Sequence, residues 1–91
     1  MDGRISFADS RPGQIRIIIE CPGAAEEIER ANLCVTPAMG SAVESMTQWT
    51  TRHAFFVELR DKDALTALKS TVEILTTLRD NGLLNLSDIT T

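Results

Sequence analysis

Ninety-one residues suffice for one domain and no more. A chain this short buries only ~60–65% of its unfolded surface, which leaves a thin stability margin that partner binding commonly remedies. Hydrophobic residues at 43% and charged residues at 24% are ordinary for a soluble globular domain. Nine Lys+Arg against 13 Asp+Glu leave a net charge of −4, which speaks against nucleic-acid binding as the main role. Two cysteines are too few for a disulfide scaffold. Nothing resembles a signal peptide and no apolar run approaches ~18 residues, so the expectation is a reduced, cytoplasmic protein.

Gln14–Glu20 (QIRIIIE) is the clearest strand, with Ile15, Ile17 and Ile19 on one face and Arg16, Ile18 and Glu20 on the other. Pro22 ends it, because proline has no N–H for a ladder. Upstream, Arg4–Asp9 has the makings of a short strand turned back by Arg11-Pro12-Gly13. Residues 1–13 are otherwise expected to be a flexible end. Gly23–Asn32 reads as a helix, with Glu26 and Glu27 in the first turn and a narrow stripe of Ala24, Ala25, Ile28 and Ala31. Met39-Gly-Ser-Ala suggests a tight turn.

Between Gly40 and Thr50, Val43, Met46 and Trp49 recur every three residues, a spacing open to helix or strand. The threonines favour strand, and strand is the preferred reading. Ala54–Arg60 (AFFVELR) is a second clear strand, with Phe55, Val57 and Leu59 opposite Phe56, Glu58 and Arg60. Thr51-Arg52-His53 then forms the hairpin turn.

The last element is a helix over Ala64–Asn81. Asp61 or Asp63 supplies its N-cap, and Asn81-Gly82 with Leu83 has the pattern of a Schellman cap. Leu65, Leu68, Val72 and Leu75 form the heptad-like stripe and are assigned to the protein's own sheet. Ala67, Thr71, Ile74 and Leu78 lie to one side and are assigned to a partner. The tail 85–91 is expected to fray.

The expected fold is therefore one α+β domain, β-α-β-β-α, with two helices on one face of a three-stranded sheet. That layout leaves Ile18 and Phe56 on an uncovered sheet face. The candidate partner interface is Ile18, Phe56, Ala67, Thr71, Ile74 and Leu78. No catalytic, cofactor or metal site is expected. His53 is alone in a turn, Cys21 and Cys34 flank the first helix ~15 Å apart, and no phosphate loop is present.

The residues of Gln14–Leu83 resemble the small dimerising subunit of the KEOPS complex, which in archaea and eukaryotes supports synthesis of threonylcarbamoyladenosine in tRNA. The strand ending in Cys21-Pro22 is similar to the family's aromatic-proline step. The acidic helix AAEEIERAN, the linker Val35-Thr36-Pro37, the hairpin ending in FFVELRDKD and the helix opened by DALTALKSTVEIL follow in the family's order, with Leu68-Lys69-Ser70 on its pattern of leucine, basic and small residues. Where the family usually places an asparagine one turn later, this chain has Thr71-Val72-Glu73. That departure would suit a divergent paralogue pairing with a sister subunit.

The resemblance implies a non-catalytic subunit that forms a homodimer or a heterodimer. Its helices would pack on the complex's catalytic subunit, and it would meet tRNA only indirectly. Two other readings compete. A KH-like RNA-binding domain needs a Gly-x-x-Gly clamp and a basic groove, and the sequence has neither. A small regulatory ligand-binding domain is the third, and no residue names its ligand.

Overall fold

The computed structural model describes all residues except 10, 39–42, 86, 88 and 91, with 38, 89 and 90 described by backbone alone. The elements are β1 (Gly3–Ala8), β2 (Ile15–Pro22), α1 (Ala25–Ala38), β3 (Ser45–Thr50), β4 (Ala54–Asp61), α2 (Ala64–Asp80) and a two-residue β5 (Ile89–Thr90). The sheet order is β3-β4-β2-β1-β5. Each of the first four strands is antiparallel to its neighbours among them, and β5 lies parallel to the start of β1. The α+β class is as expected, and 45–50 is a strand. The tight turn expected at Met39–Ala42 lies outside the described residues.

The three-stranded sheet needs correcting, because β1 makes a fourth antiparallel strand. It pairs along its length with β2, from Arg4↔Glu20 to Ala8↔Arg16. The hairpin turn has Pro12 before Gly13 at φ +82°, and the Gln14 amide donates to the Arg11 carbonyl at 3.1 Å. That is type II chemistry, with proline presetting one residue and glycine alone tolerating the next. Residues 3–8 of the end expected to be flexible are thus held in the sheet, and β5 brings 89–90 into it as well.

Alternation along β2 and β4 puts Ile17, Ile19, Cys21, Phe55, Val57 and Leu59 on one fully buried face. Both helices cover that face. They contribute Ile28, Ala31 and Val35 from α1, and Ala67, Ile74, Leu75 and Leu78 from α2.

The first helix runs on through the segment expected to be a linker, with Pro37 in its last turn. Two causes are visible. Val35 is fully buried, which draws this turn onto the core. Gln48 of β3 also donates to the Asn32 carbonyl, to Asn32 Oδ1 and to Thr36 Oγ1, each at 2.8 Å, and so fastens the end of α1. At its start, Glu27 Oε1 accepts from the Ala24 amide at 3.1 Å, one half of a capping box.

Helix α2 is capped at both ends as its sequence indicates. Asp63 Oδ1 accepts from the Leu65 amide at 3.0 Å. Asp61 ties the preceding loop instead. Buried, it accepts from the amides of Asp63 at 2.8 Å and Glu44 at 3.1 Å. At the other end the Gly82 amide donates to Arg79 and the Leu83 amide to Leu78, both at 2.9 Å, which is a Schellman motif. Gly82 sits at φ +70°, and a Cβ there would meet nothing within 4 Å. The cost of Gly82→Ala is therefore backbone strain alone, ~1–2 kcal/mol. It should lower the melting temperature by about 4–8 °C per kcal/mol lost. An unchanged melting curve would mean that this cap contributes nothing.

Candidate interaction surfaces

The structure reverses the two faces assigned to α2. Ala67, Thr71, Ile74 and Leu78, expected at a partner interface, lie in the protein's own core, and Thr71 Oγ1 donates to the Ala67 carbonyl at 2.9 Å. Leu65, Leu68 and Val72, expected against the sheet, are 60%, 42% and 60% exposed, and only Leu75 of that stripe is buried. The reason is steric. The sheet already presents the large side chains Ile17, Ile19, Phe55, Val57 and Leu59, so close approach requires small residues on the inward side of the helix, here Ala67, Ser70 and Thr71. One sequence signal points this way. A Schellman cap presses the residue after its glycine, Leu83, near the turn holding Leu78, and Leu78 shares a helical face with Ile74, Thr71 and Ala67.

The exposed stripe has the i, i+3, i+7 spacing of a helix-packing seam. Lys69 and Glu73 line the same shallow groove as Leu65, Leu68 and Val72. Three large apolar side chains, grouped along two turns with charge at their border, form an open apolar surface on this helix.

The outer sheet face is different from the bare apolar face expected. Cross-strand neighbours place Ile18 beside Glu58 and Ser6, and Phe56 beside Glu20 and Trp49. Glu58 Oε1 accepts from Arg16 Nε and from Arg60 Nε and Nη2, the latter two at 3.1 and 3.0 Å. Arg4 pairs with Glu20 at 3.6 Å. Ile18 and Phe56 are accordingly half-buried. The apolar element that stands out is Trp49, 38% exposed and stacked on Phe56 with ring centroids 5.1 Å apart.

Burial works to raise the Glu58 carboxyl, but the guanidinium groups of Arg16 and Arg60 outweigh it and hold it below the ordinary glutamate value. Below about pH 4.3 the unfolded chain takes up a proton here before the folded chain does. The stabilisation is complete above that pH, shrinks below it, and is gone once the depressed folded value is passed. Glu58→Gln should therefore lose less melting temperature than wild type between neutral and acid pH. Parallel curves for the two proteins would refute this role.

The remaining reactive groups do not converge. His53 is exposed in the β3–β4 turn, and its carbonyl accepts from the Gly23 amide at 3.1 Å. Cys21 is buried in β2, and burial pushes its thiol up to about 11. Cys34 lies within α1 rather than beyond its end; half-buried, its thiol is raised by burial and donates to the Ala31 carbonyl. Both thiols are free. Among the described residues no three His, Cys, Asp or Glu side chains are grouped to hold a metal ion, and no helix is long and apolar enough to cross a membrane. Compared with protein-family models, with curated proteins and with solved structures, the chain matches none.

Proposed function

We propose that this chain is a non-catalytic architectural subunit of a KEOPS-type assembly. It supports threonylcarbamoyladenosine modification of tRNA in the cytoplasm by packing helix against helix on the catalytic subunit. The observation that carries the reading is the stripe Leu65, Leu68 and Val72, left open on α2 at helix-packing spacing. A domain of 91 residues has little apolar surface to leave in water without a use for it. The resemblance of Gln14–Leu83 supplies the identity of the assembly. The net charge of −4 supports an indirect relation to tRNA, since direct binding draws on a basic surface.

The chain acts as a dimer, either with itself or with a paralogous subunit, and needs no cofactor. The test is co-purification of the tagged chain from its source cells. Recovery of the catalytic subunit of the tRNA-modifying complex is the expected result. Recovery of unrelated proteins only, or submicromolar salt-sensitive binding to tRNA by the purified chain, would sink the reading.

A further inference from the structure

The edge strand β3 lacks charge, proline and a bulge, three of the devices that keep a sheet edge from pairing. Charged residues, prolines, bulges and very short strands are the usual protections, because a row of free amides and carbonyls is a template for another strand. Ser-Met-Thr-Gln-Trp-Thr contains no charge, no proline and no glycine. Every other strand of the antiparallel sheet carries charge: Arg4 in β1, Arg16 and Glu20 in β2, Glu58, Arg60 and Asp61 in β4. The register with β4 runs unbroken from Ser45↔Arg60 to Thr50↔Phe55, so there is no bulge either. At the opposite edge, β5 covers the start of β1. At the β3 edge, no strand among the described residues takes the free side.

The edge strand is also tied down on both faces. Gln48 is tied to α1 by its three hydrogen bonds on the inner face, and Trp49 is stacked on Phe56 on the outer one. A strand fixed in this way gives up little freedom when it pairs.

We propose that β3 pairs with β3 of a second copy, antiparallel about a two-fold axis at Thr47, giving one continuous sheet through both subunits. Identical strands related by a two-fold meet antiparallel, and residues near the axis then face their own copies. Like charges directly opposite destabilise a strand pair, and a strand without charges avoids this. With the axis at Thr47, the two copies of Thr47 are opposite and Trp49 meets Ser45. The helices of the two copies then share one side of the joined sheet, and the α2 stripe stays open. The inference deepens the reading of the chain as a dimerising subunit, and it places self-association and partner docking on separate elements.

The experiment is light scattering after size exclusion on the full chain at tens of micromolar, with Thr47→Lys, Thr47→Glu, their equimolar mixture and Val72→Lys. Thr47 is exposed, so the charged variants should keep the wild-type circular dichroism spectrum. Wild type and Val72→Lys should elute with about twice the 10.0 kDa chain mass. Each Thr47 variant alone should be monomeric, with at least tenfold weaker self-association, and the mixture should recover the dimer. A monomeric wild type, dimers that survive either Thr47 change alone, or a mixture that stays monomeric would each overturn the pairing. Loss of the dimer in Val72→Lys but not in the Thr47 variants would also overturn it, moving self-association to α2. Partner recovery by the monomeric Thr47 variants is read separately, so a failed edge leaves the docking reading standing.

Discussion

Ile74→Glu should leave no folded protein at neutral pH. Ile74 is fully buried on α2 within the main cluster, which includes Ile17, Val57 and Leu78. Truncating such a side chain alone costs ~2–5 kcal/mol. A carboxylate without a partner adds its desolvation cost, and among the described residues no Lys or Arg is buried to receive it. Domains of ordinary stability have ~5–15 kcal/mol to lose, and one this small stands near the lower end. Val72→Glu, on the same helix two residues earlier and 60% exposed, should melt close to wild type. Leu68→Ala should likewise cost far less than a core truncation, because Leu68 is 42% exposed. Circular dichroism melts of the three variants decide the point. A folded Ile74→Glu beside an unfolded Val72→Glu would restore the opposite orientation of the helix.

Much of this fold is legible in the sequence because local chemistry and tertiary demand agree. Gln14–Glu20 and Ala54–Arg60 alternate strongly and are central in the sheet, paired from Ile15↔Asp61 to Pro22↔Ala54. The end of α2 is legible because Asn81-Gly82-Leu83 is a local signal with one structural meaning.

Sequence and structure part where tertiary context decides. β1 has only Ile5 and Phe7 to alternate, and Phe7 remains 61% exposed, so its strand comes from pairing with β2 rather than from its own pattern. Reading Val35–Pro37 as a linker gives proline too much weight: in a last turn it forfeits one hydrogen bond, and the burial of Val35 offsets that. The two stripes of α2 are both apolar, and size alone points to the larger as the core. Size is a poor guide when the opposing sheet is already bulky and the inner helix face must be small. That one inversion carries four of the six candidate interface residues inward. The other two, Ile18 and Phe56, lie on the expected face, but the arginine and glutamate chains around them cover much of it.

Leu68→Lys combined with Val72→Lys should abolish partner docking while leaving the fold intact. Both side chains stand on the open side of α2, so two lysines there meet water in the free protein and cost little stability. In a packed helix interface each would have to be buried without a counter-charge or reach past the seam. The residues at the centre of such a seam are where binding energy concentrates, with losses of ~2 kcal/mol or more per position. Two of them correspond to at least a hundredfold loss of affinity, taking about 1.4 kcal/mol as tenfold. Ile18→Ser makes the comparison on the outer sheet face: half-buried beside Glu58 of the Arg16–Glu58 pair, it should lower the melting temperature slightly and retain the partner. Melting curves and quantitative pull-downs of the three proteins separate the alternatives. Wild-type recovery by the double lysine variant would remove α2 as the docking surface. Loss of the partner in Ile18→Ser alone, with its fold preserved, would transfer that role to the sheet face around Trp49 and Phe56.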